Sequence, residues 1–371
     1  MSLGAGGISV IPFAFFQYTL DHGKGLVQLS EMGYGTLSLA QEILFRSMEG
    51  IMIIFSLIHL VLSVILFVQF AKWLKTKNFK VLLQNPLKNS ALLAPFISIV
   101  MTMNVFLGPI RYFVPLLANN LQSFMLSALI FWGVIWITLM KTELKLLKIS
   151  FENSFDVNKI SFGWLLHPFA LAMLTVTGTG IAALAANANI AHIAAFMSLV
   201  SGTMGMFLLS VKLIAIFKSH FAQTGLPERQ FLPSFLIVIP NITLFAISIF
   251  RLGHYLERHH SMHMGSFFLI VMTVAFAFET WYMMFGLTLL KDYFHKHFFK
   301  NEFYVTQWGL VCPVVAYAVL GSFVFKVFVQ STILYVTIIL TTLIATTLFF
   351  MLFIKQGRCF SILKKKGVKC L

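Results

Sequence analysis

The sequence predicts an all-α polytopic membrane protein of ten transmembrane helices joined as five helical hairpins. Three observations predict it. Hydrophobic residues fill 59% of 371 positions and charged residues 11%, with mean hydropathy +0.89, too little charge to solvate a water-soluble domain of this length. The apolar residues fall in runs of the roughly 20 residues that cross a bilayer as a helix. The connections between runs alternate between strongly basic and nearly uncharged.

The runs lie at 6–24, 46–71, 89–111, 119–141, 161–186, 190–217, 230–252, 264–290, 303–327 and 331–354. Between the first two, Asp21, His22, Lys24 and Glu31 mark a loop with an amphipathic segment. The 2/3 connection carries Lys72, Lys75, Lys77, Lys80 and Lys88, and the 4/5 connection Lys141, Lys145, Lys148 and Lys159. Lys218 and Arg229 follow in the 6/7 connection, then Lys291, Lys296 and Lys300 in the 8/9 connection. The tail adds Lys355, Arg358, Lys364, Lys365, Lys366 and Lys369, whereas the turns near Asn119, Asn187 and Gln330 are almost free of basic residues. Basic loops stay on the cytoplasmic side, so both termini are expected there, and the short outer turns tie consecutive spans into hairpins. The domain reading is a transmembrane domain over 1–355 and a basic cytoplasmic tail over 356–371, in a cell membrane or bacterial inner membrane.

The net charge of +15 is spread over these loops with no basic face to collect it, which argues against nucleic acid and for a membrane lipid surface. Of three cysteines, Cys312 falls in a span and Cys359 and Cys370 in the tail; a reducing compartment predicts no disulfide. The N-terminus lacks the basic start and cleavage site of a removable signal peptide.

Pro12, Pro95, Pro168, Pro240 and Pro313 fall in odd-numbered spans, and no even-numbered span has an interior proline. A proline inside a helix frees a carbonyl and bends the axis, and in a membrane that carbonyl needs a protein or water partner. Five such helices are expected to share the wall of a central pathway, the even helices standing outside. Phe13, Phe96, Phe169 and Asn241 directly follow four of these prolines. Thr175, Thr177, Gly178, Thr179 and Gly180 either line a pore or allow close helix packing. Arg111, Arg251 and Lys326 stand at the outer ends of odd spans, where they form an anion-attracting mouth or snorkel to headgroups; Lys24 is a fourth candidate.

Glu279 lies within the eighth span and needs a partner there, as a structural hydrogen bond or as a proton-coupling carboxylate. His254, His259, His260 and His263 cluster at the 7/8 connection without ligand spacing, so no metal is expected. His59, His167 and His192 lie in or near spans, which raises a haem-bearing membrane electron carrier as an alternative of another class; paired histidines at wide spacing on one helix are lacking.

The stretch N-P-L-K-N-S-A-L-L-A-P-F-I-S (85–98) resembles the third-helix entrance of the tellurite-resistance/dicarboxylate transporter (TehA) family, which includes plant slow anion channels. L-P-E-R-Q-F-L-P-S-F (226–235) resembles its sixth-to-seventh connection, and F-Y-V-T-Q-W-G-L-V-C-P (303–313) its ninth-helix motif. The resemblance covers spans 2 to 10. It implies a quasi-fivefold central pore of kinked odd helices, a homotrimer with a pore in each subunit, and a phenylalanine plug before the ninth-helix proline. This chain has Cys312 at that place, Asn85 for the family's histidine and Gln307 for a tryptophan. Phe13, Phe96 and Phe169 are then the gate candidates, or the pore is more open. The expected function is an anion channel or facilitator for small inorganic or organic anions, with no cofactor and no covalent chemistry. A proton-coupled carrier or exporter of sulfite, tellurite or C4-dicarboxylates is the alternative.

Overall fold

A computed structural model describes residues 1–23, 25–222, 225–300 and 303–366. Among these residues the chain is helical without strands. Ten principal helices follow in order: α1 Ser2–Thr19, α2 Leu39–Trp73, α3 Asn89–Phe113, α4 Leu121–Glu152, α5 Phe162–Leu184, α6 Ala188–Phe221, α7 Leu232–His260, α8 Gly265–Leu289, α9 Val305–Val327 and α10 Thr332–Lys366. Nine of them, α2 to α10, are long and apolar enough to cross a membrane among the described residues. The tenth expected span, 6–24, is the 18-residue α1, whose Gly4, Gly6 and Gly7 exchange apolar surface for close packing. Lys24 and Cys370 lie outside the described residues. Cys359 is disulfide-bonded, which corrects the expectation of unpaired cysteines; compartment chemistry alone was the basis of that expectation.

Local signals set the ends. Ser38 begins α2 with a reciprocal capping box to Gln41, and the Asn187 side chain accepts from the amides of Asn189 and Ile190 to begin α6, each satisfying N–H groups that a helix start leaves open. The basic-side connections are long enough for short helices such as Lys77–Leu83. The opposite turns, at 185–187 and 328–331, are tight.

The helices form an inner and an outer ring. In the apolar core of each span, 50% of residues are buried in α3, 94% in α5, 72% in α7 and 61% in α9, against 28–39% in the even helices. Most of α1 is also buried. Outward faces of the even helices carry exposed Ile54, Leu57, Val61, Phe196, Phe207 and Ile214, an apolar surface suited to lipid. The protein is an integral multi-pass membrane protein.

The prolines act differently from expectation. Pro95, Pro168, Pro240 and Pro313 do not kink helices midway. Each of their spans opens with a 3-10 segment, Asn89–Leu93, Phe162–Leu165, Leu232–Ile237 and Val305–Leu310, and the proline occupies the first turn of the α-helix that follows. First-turn amides have no intrahelical acceptor, so a missing N–H costs little there. These four prolines follow one another at 72 or 73 residues, and neighbouring inner helices touch in the same register: Asn104 meets Thr177 and Ser90 meets Gly163, each pair 73 residues apart. The hairpin is therefore a repeated unit. Pro12 is out of this register, because Gly6 packs on Met101 and Gly7 on Val315; it stands about 9 Å or more beyond the level of Pro313 at roughly 1.5 Å per residue.

Candidate functional site

The inner helices enclose a cavity of about 870 Å3 lined by residues of α1, α3, α5, α7 and α9. Of the residues singled out in the sequence, Phe13, Phe169, Thr177, Gly180, Pro240, Arg251, His254 and Cys312 line it. Phe13 seats its ring on Gly108, where a Cβ would come within 2.9 Å of the ring. Pro12, Pro95, Pro168, Asn241 and Pro313 are buried behind the wall. Phe96 is half-buried in the cluster of α3, α4 and α5, and Asn241 Nδ2 donates to the Ile237 carbonyl at 2.9 Å.

The three basic mouth candidates separate. Arg251 lies in the cavity wall, and its guanidinium donates to the Val176 carbonyl at 2.7 Å across Gly180, where a Cβ would sit 3.0 Å from Nη1. Arg111 is buried away from the cavity and donates to the carbonyls of Leu107 and Val27, tying the segment after α1 to α3. Lys326 is exposed and lies 3.7 Å from the Asp21 carboxylate. A second cation, unforeseen, joins Arg251: Arg258 lines the same end and donates to the carbonyls of Ala183 and Leu184 at 3.1 and 2.9 Å. Both arginines bond neutral carbonyls, so their charge stays in the cavity. Glu257 there is held by His254 Nδ1 at 2.8 Å. Seven-residue spacing put Arg258 on the face of Arg251, a signal present in the sequence.

Glu279 is fully buried on α8 and shares a hydrogen bond with the Thr243 hydroxyl. Thr243 lines the cavity, so the carboxyl stands one side chain behind the wall. Its second oxygen has no partner among the described residues. The histidines raised for haem are held apart: His59 by the Ser2 carbonyl and Thr102, His167 by Glu143, His192 by Tyr255. They do not converge on one site. No group of three or more His, Cys, Asp or Glu able to hold a metal occurs among the described residues.

An inner ring of helices around a cavity whose one end carries two arginines against one glutamate defines a polytopic membrane protein of transport type. The family model for voltage-dependent anion channels (SLAC1) matches residues 28–355. The chain belongs to that family, whose members are anion channels and transporters rather than enzymes. No curated protein matches it.

Proposed function

We propose that the chain passes small anions through the central cavity, entering or leaving at the end that carries Arg251 and Arg258. The observation that supports this reading is the pair of arginines lining one end of a cavity walled by the inner helices and by Gly25 and Leu26 of the loop after α1, each arginine bonded to carbonyls and not to carboxylates. Glu257 offsets part of this charge, and the excess of cations against low-dielectric walls raises the local concentration of anions and repels cations. Beyond them the wall turns apolar, with Met101, Met173, Ile247 and Val319. An apolar stretch supplies a dewetting barrier that limits leakage without binding the ion.

In this reading both termini face the cytoplasm, following the basic loops, and three chains assemble with a pathway in each. Cys312 occupies the place that the resemblance gives to a plugging phenylalanine. The pathway is then held narrow by other rings, with Phe13 and Phe169 in its wall. The test is flux in proteoliposomes with chloride, nitrate, sulfite and malate. Passive flux of several anions and none of cations is expected; absence of all anion flux would refute the reading.

One observation favours a second reading, proton-coupled anion uptake. Glu279 lies beside the cavity wall with one oxygen unpartnered among the described residues, as a protonatable relay would. Uptake that follows an imposed pH gradient and is lost in Glu279→Gln would support it; insensitivity to both leaves the passive pathway.

A further inference from the structure

Near the level of Asn104 on α3 and Thr177 on α5, which touch in the repeat register, α7 and α9 present Phe250 and Phe323, one residue beyond the proline-aligned Ile249 and Ser322. All four line the central cavity. The first helix lies outside the repeat register but supplies a fifth member, Tyr18, whose ring centre is 3.9 Å from that of Phe323. The contacts form two arcs of the belt. Asn104 Nδ2 donates to Thr177 Oγ1 at 2.7 Å, Phe250 meets Phe323 edge-on at 5.2 Å, and Tyr18 meets Phe250 at 6.3 Å.

The two arcs of the belt differ in kind. On the polar arc the groups are already committed: the Asn104 amide also donates to the Val100 carbonyl, and the Thr177 hydroxyl to that of Met173. Neither has reason to move. On the other arc three rings from three different helices rest on one another. Phe250 is held by the rings of His254 and of Phe268 on α8, at 4.6 Å each, whereas among the described residues Tyr18 has ring contacts only with Phe250 and Phe323. Away from this level the same helices offer small groups to the cavity: Gly4, Gly7, Cys312 and Ala316 on one side, Gly180 on the other. Phe13 and Phe169 also line the cavity, but it is at the belt that three rings from three helices meet one another.

We infer that this belt is the waist of the pathway and that the Tyr18–Phe323 pair is the part whose size sets which anions pass. The inference rests on the anion-pathway reading but assigns the limiting residues to a level away from the position before the ninth-helix proline. Small inorganic anions are the class the waist admits; bulky organic anions are held back by the rings. The edge of an aromatic ring carries partial positive charge and tolerates an anion, so the arc can discriminate by size without adding a cation.

Cys312 is a natural reporter, since it lines the cavity beyond the waist as seen from Arg251. In a C359S/C370S background, the reagent 2-sulfonatoethyl methanethiosulfonate is applied from the Arg251 side, and chloride and gluconate flux is measured in parallel. Tyr18→Ala and Phe323→Ala are compared with Tyr18→Leu and Phe323→Leu, which keep more volume, and with lipid-facing Phe207→Ala. Only variants that elute as wild type after solubilisation are scored. A gain of tenfold or more in Cys312 modification rate and in the gluconate-to-chloride ratio is expected in the alanine variants, smaller in the leucine variants and absent in Phe207→Ala. Unchanged rates and ratios in all four waist variants would overturn the inference. Chloride flux with unchanged selectivity would overturn it while leaving the anion pathway standing. Faster Cys312 modification with no flux of any anion would support the waist and refute the transport reading.

Discussion

Replacing Arg251 by glutamine tests the electrostatic part of the proposal, with Arg111→Gln as its partner. The two arginines occupy the same nominal place at the ends of inner helices, yet Arg251 lines the cavity and Arg111 binds the Val27 carbonyl away from it. An anion passing about 6 Å from a guanidinium gains roughly 0.7 kcal/mol at a dielectric of 80 and roughly 2.8 kcal/mol at 20. At about 1.4 kcal/mol per tenfold, that is a factor of about 3 to about 100 in local anion occupancy. Arg251 is half-buried, so about tenfold is the expected loss of anion flux at low salt. The effect should shrink in 1 M salt, where the screening length falls to about 3 Å. The assay is stopped-flow anion flux in proteoliposomes at two ionic strengths. Arg111→Gln should leave the anion-to-cation ratio unchanged and lower the unfolding temperature, because two buried carbonyl contacts are lost. An Arg251→Gln protein with wild-type flux and salt dependence, or an Arg111→Gln protein with altered selectivity, would refute the reasoning.

Cys312→Phe adds a ring to the cavity wall and should reduce chloride flux several-fold with little change in thermal stability; undiminished flux would mean that anions do not pass Cys312. The Glu143–His167 pair is fully buried, with Nδ1 and Oε1 2.6 Å apart, and Lys212 stacks on Trp164 beside it. Glu143→Leu removes one partner of a buried polar pair and should cost about 3–5 kcal/mol, read as a lowered melting temperature in detergent. Gly178→Ala drives a methyl group into Trp132 and Ser198; overpacking of this kind costs about 1–3 kcal/mol, and a melt unchanged from wild type would show that α4 and α6 yield freely. Thr243→Val strips Glu279 of its one hydrogen bond among the described residues, costing about 1–3 kcal/mol for the stranded carboxyl. Glu279→Leu in that background should restore stability, as measured by the same melt.

Composition and charge order were enough to set the class and the hairpin plan. Runs of apolar residues have only helices open to them in a bilayer, and loop charge is a property that sequence position fully specifies. The restriction of prolines to odd spans pointed to the inner ring, and the burial of α3, α5, α7 and α9 against the even helices is the same division. The reason differed: four of the five prolines mark changes from 3-10 to α geometry, Pro12 lying inside α1, and the 72- or 73-residue spacing those four share was legible but is meaningful only once Asn104 is seen beside Thr177.

What the sequence left open was the direction in which each side chain points. Arg111 and Arg251 look equivalent along the chain, but α3 contains a π-turn at Phe106–Ile110. One extra residue per turn rotates everything after it by about 100° around the axis, which carries Arg111 off the cavity face. Lys326 was lost to the pathway through Asp21, a partner from a loop no periodicity connects to α9. Arg258 and the Tyr18–Phe250–Phe323 contacts likewise depend on the offsets between packed helices, and α1 enters at an offset its own proline does not reveal. Hydropathy and charge act locally along the chain, so the sequence determined the membrane class, the hairpins and the two rings. The azimuth of a helix and its stagger against neighbours come from side-chain packing across the bundle, so only the tertiary structure decided which arginines and which rings meet in the cavity.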